Sequence, residues 1–96
     1  MIVHIVMFQF KEEKREENIA RAKAMLEALV EKIDPLLSME VGIDFNRSDR
    51  AMDLSLISTF ETKEKLQEYA VHPAHLEVVA FIKEVTTQSR VVDYEK

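Results

Sequence analysis

Ile2-Val3-His4-Ile5-Val6-Met7-Phe8-Gln9-Phe10 decides the fold. The run is rich in β-branched and aromatic residues, and it predicts a strand. Alternation puts His4, Val6, Phe8 and Phe10 on one face and Val3, Ile5 and Met7 on the other. Both faces are mostly apolar, so neither is expected to meet water. Such a strand belongs at the centre of a sheet or beneath two layers.

Outward from this strand, Glu12 to Ile33 predicts a long helix. Ile19, Ala22, Leu26, Leu29, Val30 and Ile33 recur at three and four residues as its buried stripe. Glu12, Glu13, Glu16 and Glu17 suit the positive end of the helix dipole. Pro35 ends it, because the residue before a proline avoids helical angles. Leu36 to Phe45 predicts a second strand, and Ala51 to Glu61 a third, with Met52, Leu54, Leu56, Ser58 and Phe60 on one face. The polar turn Asn46-Arg47-Ser48-Asp49-Arg50 joins them as a hairpin. Thr62 is an N-cap candidate for a helix to about Val71. Pro73 to about Val85 gives a further helix, with Leu76, Val79 and Ile82 or Ala80 inward, and Gln88 to Tyr94 a last strand.

The order β-α-β-β-α-β is that of the α+β ferredoxin-like unit, an antiparallel sheet with helices on one face. Residues 1–96 then form one domain. A chain this short buries roughly 60–65% of the surface its unfolded form exposes, yet 47% of it is hydrophobic. The uncovered face of the sheet would be apolar, which is unusual on a soluble monomer. The expected remedy is a two-fold dimer that packs two such sheets face to face.

Composition removes several function classes. The formal charge is −5 with no basic cluster, so no nucleic-acid partner is expected. The chain has no cysteine, which excludes disulfides, thiolate catalysis and zinc–thiolate sites. Gly42 is the only glycine, so no glycine-rich phosphate loop exists and no nucleotide or flavin cofactor is expected. Met1-Ile2-Val3-His4-Ile5 lacks the basic region and cleavage site of a signal peptide. No apolar run approaches the ~20 residues of a membrane helix. The expectation is a cytoplasmic protein with no membrane partner.

Tyr69-Ala70-Val71-His72-Pro73-Ala74-His75 carries the candidate chemistry. Proline is excluded from a helix interior but welcome in the first turn, so Pro73 marks a break between two helices. Polar side chains at such a break can turn into a cavity. Neutral histidine is the usual base near neutral pH, and a tyrosine hydroxyl can orient it or hold an enolate oxygen. The plainer alternative is that Tyr69 and His75 satisfy each other, or a backbone carbonyl, while the break shapes the fold. His72 is expected to cap the following helix or to restrict the turn. A metal on His72 and His75 is disfavoured, because no carboxylate motif accompanies the pair and Glu77 suits a solvated face. His4, among Val3, Ile5, Val6 and Phe8, is either a core histidine with one satisfied hydrogen bond or a pocket residue.

Three stretches carry a family likeness: His4-Ile5-Val6-Met7-Phe8-Gln9-Phe10-Lys11, then Thr59-Phe60-Glu61 leading into a helix, then Tyr69 with His72-Pro73-Ala74-His75. Together they resemble the stress-responsive A/B barrel family of the dimeric α/β-barrel superfamily. That resemblance implies two ferredoxin-like subunits joined into one barrel, each with an apolar pocket between sheet and helices. A plant member of the family closes a linear polyketide by aldol condensation. Its catalytic tyrosine and histidine correspond to Tyr69 and His75, and its first-strand pocket histidine to His4. This chain departs from it at Leu54, where that cyclase has another pocket histidine.

The expected function is therefore a dimer that binds a small apolar or aromatic molecule. Its pocket would be lined by His4, Val6, Phe8, Leu54, Leu66 and His72, beside Tyr69 and His75. One alternative is a cofactor-free cyclase or lyase-like enzyme with His75 as base and Tyr69 as positioning group, or an oxygenase of the same superfamily. Another is a structural, stress-linked dimer with no ligand.

Overall fold

The computed structural model describes residues 1–96. Its elements are β1 (Ile2–Phe10), α1 (Arg15–Glu27), α2 (Leu29–Lys32), β2 (Ser38–Ile43), β3 (Leu54–Phe60), α3 (Lys63–Ala70), α4 (Pro73–Val85) and β4 (Thr86–Glu95). The strands form one sheet in the order β2-β3-β1-β4, and every neighbouring pair is antiparallel. This is the ferredoxin-like α+β fold. The strand with two apolar faces, β1, occupies an interior position.

The helices cover one face of the sheet. Ile2, Val6 and Phe10 of β1, Val41 of β2 and Leu54, Leu56 and Phe60 of β3 pack there against Ile19, Ala22, Leu26, Leu29, Ile33, Tyr69, Val78 and Ile82. The other face is bare in the protomer. Ile5 stands between Ile57 and Val92 in register, and Met7 and Tyr94 flank them. Met7, Ile57, Val92 and Tyr94 are 40, 38, 56 and 46% exposed.

Local chemistry explains the element ends. Thr62 Oγ1 accepts from Lys65 N–H at 3.1 Å and caps α3. His72 Nδ1 accepts from Ala74 N–H at 3.0 Å and caps α4, with Pro73 in the first turn. α4 runs directly into β4, which begins at Thr86, two residues before the predicted start.

Several boundaries and faces differ from the sequence expectations. The helix predicted from Glu12 starts only at Arg15, because Lys14 takes left-handed angles, φ 51 and ψ 34. It is interrupted at Ala28, which keeps helical angles, and ends where Ile33 turns extended. Val30, placed in the buried stripe, is exposed at 37%. On α4 the buried residues are Val78 and Ile82, not Leu76 or Ala80. The inward face continues from His75 at steps of three and four, and Leu76 lies about 100° round the helix from it. β2 and β3 are each shorter than predicted, because the pairing between them spans only Ser38–Ile43 with Leu54–Thr59. A charge at Val6 or Ile43, expected from the sequence to break the dimer if those residues faced the partner sheet, would not do so there, because both lie on the helix side.

Candidate functional site

The helix break builds the site. Ala70 is the last residue of α3, so its carbonyl has no partner within that helix. The next turn would offer Ala74 N–H, but His72 Nδ1 has taken it. His75, in the first turn of α4, fills the gap: its Nδ1 lies 3.0 Å from Ala70 O. A carbonyl oxygen only accepts, so Nδ1–H donates and the lone pair stays on Nε2.

The same ring packs on Tyr69, centroid to centroid 4.3 Å at 44°, and Tyr69 packs on Phe60 at 5.0 Å and 53°. Tyr69 is 2% exposed. Burial pushes its phenol up to about 12. Burial also lowers His75 from the ordinary imidazole value; the Ala70 hydrogen bond opposes this in part, and His4 and His72 add small depressions. Near neutral pH the pair is a neutral imidazole beside a neutral phenol, an acceptor next to a donor.

Both rings line a cavity of about 150 Å³ under α4. Val6 and Phe8 of β1, Leu56 of β3, Leu26 of α1 and Val78, Val79 and Ile82 of α4 supply its apolar wall. Lys83, Thr86 and Ser89 complete the lining where α4 gives way to β4. His4 enters from the sheet. Its Nδ1 pairs with the Asp93 carboxylate directly opposite on β4, which leaves its Nε2 unclaimed by that pair.

Of the candidate residues, His4, Val6, Phe8, Tyr69 and His75 thus meet at one cavity. Leu54 is buried at the Ile43 end of the sheet. Leu66 borders a surface dent with Ile2 and Tyr94. His72, besides capping α4, borders a surface groove of about 810 Å³ with Lys32, Asp34, Glu61, Lys65 and Glu68. That groove is larger than the cavity, but its ionic rim is open to water, which screens charges and competes for hydrogen bonds. The cavity is where buried polar groups converge on an apolar wall, the usual form of a small-molecule site. No three His, Asp or Glu side chains are arranged to hold a metal ion. Sequence reasoning missed Asp93, which only strand register brings to His4. It also missed Val78, whose signal is its spacing of three from His75; Ile82, seven residues on, is expected inward from the sequence but not at the cavity.

The shifts of His75 and Tyr69 have a measurable consequence. Below pH 6.5 the unfolded chain protonates at His75 while the native ring, with its lowered value, resists. Protons then favour the unfolded state, so stability should fall as pH drops through this window. Above pH 10 the unfolded tyrosine ionises while the native one holds its proton to about 12, so stability should fall there too. Urea midpoints across pH 4.5–8 check the first limb, by pH steps of roughly half a unit. His75→Gln should flatten it.

The comparisons with known proteins agree with this architecture. The model of the stress responsive A/B barrel domain matches residues 2–96. The chain is 29% identical over 96 residues to the stress-response A/B barrel domain-containing protein HS1 of Arabidopsis thaliana, covering 98% of this chain and 88% of that protein. A dimeric ferredoxin-like protein of unknown function from Bacteroides fragilis is 28% identical, with TM-score 0.90 over 99% of this chain and 95% of that one. A dimeric ferredoxin-like protein of unknown function from Jannaschia sp. is 27% identical, with TM-score 0.83 over 99% and 98%. With the family model matched over nearly its whole length and relatives of the same fold, the chain belongs to the stress-responsive A/B barrel domain family.

Proposed function

We propose that this protein is a homodimer whose subunits each bind a small, neutral, ring-sized molecule bearing a carbonyl or hydroxyl group. The carrying observation is the His75 ring on the cavity wall, its Nδ1 held by Ala70 and its Nε2 left free. The apolar wall favours a hydrocarbon ring, and the imidazole with the Tyr69 phenol offers one acceptor and one donor for its polar group. Size sets the limit: an apolar cavity of ~150 Å³ accepts benzene, so a single ring fits and a long chain does not. The dimer reading is supported by the bare apolar sheet face and by dimeric relatives.

Titration of the labelled protein with phenol, benzaldehyde and acetophenone, followed by amide and methyl NMR, tests the binding reading. Saturable shifts are expected at Val6, Tyr69, Val78 and Ile82. His75→Ala should weaken binding about tenfold, the loss of one buried hydrogen bond, while leaving the protomer folded. Failure of every ring-sized probe to saturate would sink the proposal.

The lowered His75 and raised Tyr69 favour a second reading, cofactor-free proton transfer. His75 Nε2 would take a proton from carbon beside a carbonyl. The C–H electron pair would form the C=C bond of an enolate while the carbonyl π pair moves to the oxygen, held by Tyr69 O–H, and the proton would return to the substrate on closure or cleavage. Deuterium uptake from heavy water at that carbon is the direct measurement. His75→Gln should slow it by ~100-fold or more, and uptake unaffected by the substitution would remove His75 as the base.

A further inference from the structure

Gly42 is the only glycine in the chain, and the protomer gives no reason for it. No glycine here has positive φ. A Cβ built at Gly42 would meet only Ser55 Oγ, at 3.6 Å, an ordinary van der Waals contact. Yet Gly42 lies inside β2, where glycine weakens a strand through lost entropy and a missing side chain. Its neighbour Val41 is buried toward the helices, so Gly42 belongs to the bare face. An interior strand glycine marks a bulge, a bend, or the close approach of a ligand or another backbone; the β2–β3 register runs without a shift, which favours a close approach.

Two residues beyond the end of β2 stands Phe45, 92% exposed. Its loop is pinned. Asp44 N–H donates to Asp53 O at 3.0 Å, and Arg47 N–H to Asp44 Oδ2 at 2.8 Å. Arg47 Nη2 then reaches Asp53 Oδ1 at 2.8 Å. A phenylalanine presented to water from so fixed a base has little backbone entropy left to lose on docking. Beside it runs a groove of about 440 Å³, bordered by Met7, Gly42, Phe45, Met52 and Ser55. Met7 and Ser55 belong to the bare sheet face, so the groove is continuous with the proposed dimer surface.

We propose that Phe45 of each subunit seats on Gly42 of the partner subunit, an exchange of knob and hole across the two-fold axis. A two-fold contact is self-complementary: if Phe45 meets Gly42 of the partner subunit, the reverse contact follows by symmetry. Knob and hole are three residues apart, which places both near the axis. The occupant is a second copy of this chain, because both halves of the contact lie on one patch and relatives of the same fold are dimeric. The inference rests on the dimer reading above and adds to it the residues that fix the register of the two sheets.

Sedimentation velocity over a dilution series gives the dissociation constants of wild type, Phe45→Ala and Gly42→Val. Circular dichroism verifies each fold; Phe45 is solvent-exposed and position 42 has room for a Cβ. Each variant should weaken the dimer by about 30-fold or more, the size of an interface hot spot. The two variants mixed should form heterodimers tighter than either homodimer, since one intact knob and one intact hole then meet. A monomeric wild type would overturn the dimer itself. A dimeric wild type whose constants the variants leave unchanged, or a mixture with no heterodimer preference, would overturn the Phe45–Gly42 contact alone.

Discussion

Asp53→Ala should lower the folding stability by about 3 kcal/mol, a large share of the ~5–15 kcal/mol available to a domain. Asp53 is 1% exposed and ties together three segments. Pairing of β1 with β3 ends at Phe8 and Leu54, so Phe10 N–H points past the end of that ladder. The Asp53 carboxylate takes it, Oδ2 accepting at 2.7 Å. Its other oxygen binds Arg47, and Arg15 Nε lies 3.9 Å from Oδ2, buried and without a hydrogen bond of its own. Alanine would strand Phe10 N–H in a water-free site by removing its charge-assisted bond, a loss of ~1.5–3 kcal/mol. Arg47 is half exposed and would regain water, so its share is the smaller one. Asp53→Asn keeps the shape and one acceptor, and should lose roughly half as much. Urea unfolding measures both; an alanine variant within ~0.5 kcal/mol of wild type would show that the hairpin loop does not depend on this carboxylate.

Asp53 also shows where sequence reasoning stops. Strand β1, the Pro73 break and the Thr62 and His72 caps were legible because each is a local rule: alternation, a missing N–H, a side-chain acceptor beside a helix start. The family's histidine and tyrosine were legible as a motif, though not their geometry. Asp53 and Asp93 carry no local signal. One sits between Met52 and Leu54 and the other follows Val92; non-local strand pairing sets Asp93 opposite His4 and brings Asp53, just before β3, within reach of Phe10 N–H. Ala28 is a similar case. It interrupts the helix ladder with no proline or glycine, and its own angles remain helical. On α4, Leu76 and Val78 are equally apolar in sequence. The residue carried to the inner face is decided by where Pro73 and the His72 cap start the helix, a phase that periodicity alone leaves open.

The bare sheet face gives the other large effect. Ile57→Asp should convert the proposed dimer to a folded protomer of 11.2 kDa. In the isolated chain Ile57 is more than a third exposed, so an aspartate there keeps its water and the protomer tolerates it. Packed against a second sheet, the same carboxylate would lose that water and stand beside Glu40, its cross-strand neighbour, a penalty of several kcal/mol. That corresponds to a dissociation constant raised by ~10²–10³-fold. Val6→Asp is the discriminating control. Val6 is buried beneath the helices beside the cavity, so its substitution should unfold the protomer rather than dissociate a dimer. The two faces of the sheet therefore predict different failures from the same chemical change. Sedimentation separates them from each other, and circular dichroism separates a lost partner from a lost fold. An Ile57→Asp protein that remains dimeric with unchanged affinity would place the interface elsewhere, and would leave the exposed Met7, Val92 and Tyr94 without the cover that their hydrophobicity demands.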